Sequence, residues 1–312
     1  MKQIENTFST AALNPTGVGL IFFSAISFAL KGVVAKLIFA EGVTVATLLF
    51  IRFLLATPLF WSYPIAKGAY KKLRQLSRRD LLLCMATGLL FACSAITDFI
   101  ALSYIAAGVE RMILFTYPAF IIIFRAIGTM RLPPKQHLLA FLVAEAGIIF
   151  LMGALDNDIS ISTTGVCFAL AAAACYACQI MISQKAMETV PSILFTCLTN
   201  TVTFIAIALY FVSTTSVAVL LNVSMDAWFM LLFISIFCTV IPFFTLYEGI
   251  KRIGSEASAI ISMIGPVITI LAAYILLNEV LSFNQLTGAV LVFLGIATLR
   301  FYRVKDQSPL RP

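Results

Sequence analysis

The amino-acid sequence predicts an all-α integral membrane protein, with ten transmembrane helices in two inverted five-helix repeats. Three observations carry that expectation: a composition too apolar for water, loops that alternate between carrying Lys and Arg and lacking them, and a likeness between the two halves at an offset of 148 residues. Of the 312 residues, 61% are hydrophobic and 11% charged, and the mean hydropathy is +1.04. Soluble domains carry roughly 25% charged residues. No water-soluble fold of this length could bury so much apolar surface, which excludes soluble enzymes and DNA-binding domains. The same composition excludes disorder. The excess of 21 Lys and Arg over 14 Asp and Glu, a net +7, then belongs to loops at a membrane face and not to a nucleic-acid partner.

A hydrocarbon core of roughly 30 Å takes about 20 residues of helix. The polar start MKQIENTFSTAALNPT reads as a tail, since the apolar run behind it contains Lys31 and makes a poor signal peptide. The first span is 17–38, with Ser24, Ser27 and Lys31 on one face by their 3–4 residue spacing. The second, 43–63, carries Arg52, and the third, 80–102, carries Thr87, Ser94 and Asp98. The fourth, 106–127, opens with Glu110 and Arg111 and contains Tyr117 and Pro118. The fifth, 136–154, has Glu145 in its middle. The sixth, 164–186, is Ala-rich and includes Tyr176 and Gln179; the seventh, 192–213, holds Asn200. Pro242 interrupts the eighth, 226–249, and Ser262 and Pro266 fall in the ninth, 253–276; the tenth is 283–303. Each run is too long for a barrel strand and must satisfy its backbone internally, so each is a helix.

The loops orient these spans. Lys67, Lys71, Lys72, Arg74, Arg78 and Arg79 follow the second run, Arg131 and Lys135 the fourth, Lys185 ends the sixth, and Lys251 and Arg252 follow the eighth. With ten spans all lie on one side, together with the basic C-terminal end. The opposite loops carry Glu41, Asp156, Asp158, Asp226 and Glu279 and neither Lys nor Arg. Positive-inside then puts both termini in the cytoplasm of a multi-pass protein of the bacterial inner membrane.

At the 148-residue offset Gly17 falls on Gly165, Phe28 on Tyr176, Ile105 on Ile253, Pro118 on Pro266 and Gly147 on Gly295. Five spans per half reverse the second half relative to the first, an arrangement found in carriers. The expected organisation is a cytoplasmic tail at 1–16, a first repeat at 17–154, an outer linker at 155–163, a second repeat at 164–303 and a cytoplasmic tail at 304–312.

The stretch from Gly254 to Arg300 resembles the last two helices of the EamA family of the drug/metabolite transporter superfamily. The matching features are small residues before Pro266, then Leu277, Asn278 and Glu279, then Gln285, Gly288 and Gly295. Residues 107–153 are a weaker copy, in which Arg131 stands where the counterpart of Glu279 would be. The resemblance extends over nearly the whole chain. It implies an alternating-access carrier with cytoplasmic termini that moves small organic metabolites, often outward.

Charged side chains inside a bilayer cost roughly 2.5–3.5 kcal/mol each on insertion scales and tend to face a cavity or a partner. The substrate-binding candidates are Ser27, Phe28, Lys31, Arg52, Tyr176, Gln179, Asn200 and Ser262. Lys31 and Gln179 are repeat counterparts, as are Arg52 and Asn200, and they are expected to put polar groups at the same two depths around a central site. The competing reading for Gln179 and Asn200 is hydrogen bonding between helices. Asp98, Glu110, Arg111 and Glu145 are candidates for coupling or gating, Asp98 as the partner of Lys31 or Arg111. Pro118, Pro242 and Pro266 each remove a backbone donor within a span and are candidate hinges. Ala169, Ala173 and Ala177 form a small-residue strip suited to close helix packing.

Enzyme signatures are absent: the sequence holds no GxSxG, no HExxH, no Walker loop and no Gly-rich dinucleotide loop. All seven cysteines lie in apolar runs, and Cys175-x-x-Cys178 has no second pair, so neither a metal nor another cofactor is expected. The partners implied are a small-molecule substrate, the lipid bilayer and, for coupling, protons; the oligomeric state is open. The alternatives to a carrier are a membrane enzyme acting on lipid, with Asp156 and Asp158 as its acids, and a channel. The basic groups Lys31 and Arg52 beside Phe28 and Tyr176 favour a substrate with a carboxylate or other acidic group, an amino acid or related metabolite first.

Overall fold

The computed structural model describes residues 15–117 and 162–246 without a break, with separate positions between 120 and 147 and between 248 and 294. Among the described residues every regular element is helical. The elements are α1 (Pro15–Ala40), α2 (Val45–Ala66), a 3-10 turn (Ala69–Gln75), α3 (Arg78–Tyr104), a short α4 (Ala107–Leu114), α5 (Thr163–Ala186), α6 (Ser192–Thr214), a second 3-10 turn (Val217–Asn222) and α7 (Met225–Ser235). α7 continues through a π turn (Ile236–Val240), so that its apolar span reaches Leu246. Among the described residues, six helices are long and apolar enough to cross a bilayer. They match six of the runs read from the sequence to within a few residues. The runs at 136–154, 253–276 and 283–303 lie outside the continuously described residues.

Side-chain caps explain several of the helix ends. Thr44, Ser162 and Ser224 accept a hydrogen bond from the backbone N–H of Thr47, Gly165 and Ala227, each satisfying one orphan donor of a first turn. Ser77 and Asp80 form a reciprocal capping box on α3. Gly42 (φ 78°) and Gly68 (φ 64°) supply left-handed turns where α1 and α2 end. The end of the bundle where α2 leaves and α3 enters carries the Lys67–Arg79 cations and is termed the basic end. The other, at the α1–α2 turn, carries Glu41, which accepts from Ser224 at 2.9 Å, and is termed the acidic end.

Two runs depart from a uniform helix. The fourth, expected over 106–127, breaks after Leu114, with Phe115 and Thr116 in a turn. A proline stands four residues after Leu114 and has no N–H to offer its carbonyl. In the eighth run, the N–H of Ile241 reaches back to the carbonyl of Ile236, one residue further than in an α-helix. Pro242 cannot donate to the carbonyl of Cys238, and the π turn lies immediately before it.

α3 and α5 pack antiparallel along their length. Thr189 donates to Asp80 at 2.6 Å at the basic end, Ser94 to the carbonyl of Ala172 at 3.0 Å, and Tyr104 stacks on Phe168 near the acidic end. The approach is close enough that a Cβ on Gly165 would meet Ile105 Cγ2 at 2.6 Å. Ala169, Ala172, Ala173 and Ala177 are fully buried, as expected for a small-residue seam. α6 lies across α2 and α3: Trp61 donates to Thr201, Cys197 to the carbonyl of Phe60, and Thr203 to the carbonyl of Gly88. α7 meets α1 and α2, and Val33, Ile38, Leu48, Leu49, Phe53, Phe99, Leu231 and Ile234 fill the space among them.

Candidate functional site

Five charged side chains converge inside this apolar bundle, from four helices. α1 supplies Lys31, α2 Arg52, α3 Asp98, and α4 Glu110 and Arg111. Asp98, Glu110, Arg111 and Arg52 are buried, Glu110 completely. Lys31, Arg52 and Asp98 each lie nearer the acidic end of their helix than the basic end, and Glu110 and Arg111 follow within about a turn of the α3–α4 connection at the acidic end. Lys31 Nζ donates to Asp98 Oδ2 at 2.6 Å, an ion pair between α1 and α3. Arg111 Nε stands 3.4 Å from Glu110 Oε2, and Lys31 feels the charges of Arg52, Asp98, Glu110 and Arg111 together.

Arg52 is held from a direction the sequence did not disclose. Its Nε donates to Thr239 Oγ1 at 2.7 Å, and Thr239 in turn donates to the carbonyl of Ile234 at 2.9 Å, an i to i−5 contact from the π turn back to the preceding turn of α7. Thr239 is fully buried. The ring of Phe99 is within cation–π reach of two cations, 5.0 Å from Lys31 Nζ and 5.3 Å from Arg52 Cζ. Cation–π attraction strengthens when water is excluded. Phe99 follows Asp98 in an apolar run and looks like any core phenylalanine, and Thr239 looks like a helical threonine, so neither carried a signal in the sequence.

The cluster is only partly satisfied. Among the described residues, Asp98 Oδ1, both carboxyl oxygens of Glu110 and Arg111 Nε and Nη2 are buried without a hydrogen-bond partner, as are Gln179 Oε1 and Asn200 Oδ1. A buried unpaired polar atom costs roughly 1–3 kcal/mol, and more when charged. Apolar helices that hold five such atoms together can bind a polar ligand in exchange for that cost. Three cationic and two acidic groups leave a formal excess of one positive charge, which complements an anionic group. Tyr176 meets Tyr117 edge-on at 5.0 Å and lies within electrostatic reach of Arg111, so an aromatic pair borders the charges.

The remaining candidates fall out differently. Ser27 is buried on the Lys31 face. Ser24, read with it as one polar stripe, instead donates to the carbonyl of Pro242 at 2.8 Å and joins α1 to α7. Phe28 meets Phe243, which also meets Phe60 and Phe91, and so has different partners from its counterpart Tyr176. The expectation that repeat counterparts sit at the same depth is corrected. Cys197 and Thr201, on either side of Asn200, meet Phe60 and Trp61, and Phe60 lies about 12 Å along α2 from Arg52, toward the basic end. Gln179 lies two turns beyond Ala172 on α5, about 10 Å further toward the basic end. Antiparallel counterparts carry their side chains to mirrored depths, so Lys31 and Arg52 take one half of the bundle and Gln179 and Asn200 the other. Asn200 Nδ2 donates to the carbonyl of Thr196 on its own helix, not across to another. Pro118, Glu145, Ser262 and Pro266 lie outside the described residues.

The fold and the arrangement of charges define a multi-pass membrane protein. The model of the EamA-like transporter family matches residues 15–153 and 163–301, two copies that together take in most of the chain. The chain belongs to the EamA family, of the drug/metabolite transporter superfamily. It is 30% identical over 301 residues to a Bacillus subtilis (strain 168) protein named uncharacterized transporter YcbK, covering 93% of this chain and 94% of that one. A second protein of the same organism, uncharacterized transporter YyaM, is 24% identical over 193 residues, covering 56% of this chain and 60% of its own. A protein known from a crystal structure shares the fold with a TM-score of 0.62 at 16% identity, over 95% of this chain and all of that one. The family and the relatives' names point to a transporter and not to an enzyme.

Proposed function

We propose that this protein is a secondary carrier that moves a small organic metabolite with a carboxylate or other acidic group by alternating access, with outward movement as the direction the family resemblance implies. An amino acid or a related compound is the first substrate to test. In this reading ten spans form two inverted five-helix repeats in a bacterial inner membrane, with both termini cytoplasmic. The antiparallel packing of α5 on α3 supports the inversion, because α1, the counterpart of α5, runs the same way as α3.

The observation that carries the proposal is the buried cluster of Lys31, Arg52, Asp98, Glu110 and Arg111, with its unpartnered atoms and its excess positive charge. Lys31 and Arg52 would receive the acidic group of the substrate, and Arg111 offers two donors that make no hydrogen bond, Nη2 and the Nε that faces Glu110 at 3.4 Å. Ser27, Tyr176 and Gln179 would line the path on either side of the midplane, and Asn200 its basic-end half. Asp98 would release Lys31 when the substrate binds and take a new partner or a proton, which couples the two events. The acids Glu110 and Glu145 would set the charge around that exchange, and Pro118, Pro242 and Pro266, which lack a backbone donor, would let the spans bend.

Purified protein in liposomes, screened with labelled carboxylate metabolites with and without an imposed pH gradient, tests this reading. Saturable counterflow of at least one acid is the expected result. At equal reconstituted amounts, Asp98→Asn should keep exchange and lose the response to the pH gradient. Conductance linear in voltage with no counterflow would replace the carrier by a channel.

A further inference from the structure

The basic end carries a second feature that the transport reading does not use. Lys67, Lys71, Lys72, Arg74, Arg78 and Arg79 are exposed there within thirteen residues. Leu73 and Leu76, from the same 3-10 turn and its end, pack against Cys84, Ala186, Leu194 and Phe195, so the turn that presents these cations is anchored to α3, α5 and α6. The described acids at this end are Asp80, which accepts from Ser77 and Thr189, the exposed Glu188, and Glu248, which pairs with Arg252. The patch therefore stays strongly positive.

Directly above it, Leu82, Met85 and Leu89 are exposed on α3. Their 3–4 residue spacing continues from Arg78, so one helix face carries a cation at the membrane boundary and an apolar stripe running into the bilayer. Tyr63 and Tyr70 are exposed at the same level, where amphipathic rings favour the headgroup region. A hydrated small anion would use the cations and leave the stripe unused; a neutral lipid would use the stripe and leave the cations unused.

We infer that this corner is a binding site for an anionic phospholipid, with its headgroup phosphate among Arg78, Lys72 and Lys71 and an acyl chain along Leu82, Met85 and Leu89. The contact would hold the α2–α3 connection at the membrane surface. Cations near an anionic surface contribute roughly a fivefold gain in affinity each, and the gain falls with salt.

The test uses the full-length protein in detergent and native mass spectrometry against three probes: dioleoyl phosphatidylglycerol, dioleoyl phosphatidylcholine and glycerol 3-phosphate. Phosphatidylglycerol should bind and raise the melting temperature, more weakly as salt rises, while the other two probes do neither. The doubly substituted Arg78→Gln/Lys72→Gln protein should bind it roughly 25-fold more weakly. Leu82→Ser/Met85→Ser should also weaken it, and Arg252→Gln, an exposed cation at the same end paired with Glu248, should not. All these side chains are exposed, and the melting temperature without lipid checks that each variant folds. Equal binding of phosphatidylcholine, equal binding of glycerol 3-phosphate, or wild-type binding by Arg78→Gln/Lys72→Gln would each overturn the inference.

Discussion

Lys31 and Asp98 show how a single contact can be asked whether it serves structure or transport. Removing one partner of a buried ion pair leaves the other charge uncompensated, at a cost of about 3–5 kcal/mol. Lys31→Ala alone should therefore lower abundance in the membrane as well as transport. The double variant Lys31→Met/Asp98→Asn removes both charges and should regain abundance near wild type. Its transport should stay below a tenth of wild type, since the group that receives the substrate is gone. Quantitative immunoblotting beside uptake separates the two readings, and recovery of both would make the pair structural. Thr239 permits a finer test, because its uncharged hydroxyl holds Arg52 in place from the π turn. Thr239→Val keeps the volume and removes a hydrogen bond to a charged group, one worth about 1.5–3 kcal/mol. The KM for an acidic substrate should rise about tenfold with little change in maximal rate, and Thr239→Ser should restore it. The sequence made Lys31, Arg52, Asp98, Glu110 and Arg111 legible because charges are rare in apolar runs. It concealed Thr239 and Phe99, which become partners of those charges only through contacts between distant helices.

At the scale of the helix, length and apolarity were enough to place α1, α2, α3, α5, α6 and α7, because a bilayer demands about 20 apolar residues whatever their order. The breaks were harder to read. Pro118 and Pro242 marked where hydrogen bonds are lost. Only the structure shows the outcomes, a turn at Phe115 and Thr116 in one case and a π turn ahead of Pro242 in the other. Close packing was legible in part. Ala169, Ala173 and Ala177 announced a seam, whereas Gly88 gave no sign of its role against α6. A Cβ there would come within 2.7 Å of the Thr199 carbonyl and of Val202. Backbone cannot yield as a flexible side chain does, so Gly88→Ala should destabilise the protein by about 1–3 kcal/mol. Gly19 has open space within 4 Å, and Gly19→Ala should be neutral or slightly stabilising. Thermal unfolding of the two variants in the same detergent measures the difference.

For the whole molecule, the one-sided distribution of Lys and Arg implies an orientation, and the 148-residue offset implies how the halves are related. The depth argument failed at this scale. Counterparts in antiparallel halves share a place in the fold but not a height in the membrane, so Arg52 and Asn200 are separated along the bundle. The ten-span topology predicts that single cysteines introduced at Gln75 and Lys305 react with a reagent delivered from the cytoplasm, and one at Asn157 only with an outside reagent. Labelling of Asn157 from the cytoplasm would replace the topology with another. The central claim is that the buried cationic cluster receives the acidic group of a transported metabolite. Its most direct measurement is counterflow in proteoliposomes loaded with the best acid from the screen, comparing wild type with Arg52→Ala and with Lys31→Met/Asp98→Asn at equal reconstituted amounts. Saturable counterflow in wild type that falls at least tenfold in both variants, while the neutral amide of the same acid is carried poorly by all three, is the predicted result. Undiminished counterflow in both variants, or equal transport of the acid and its amide by wild type, would contradict it.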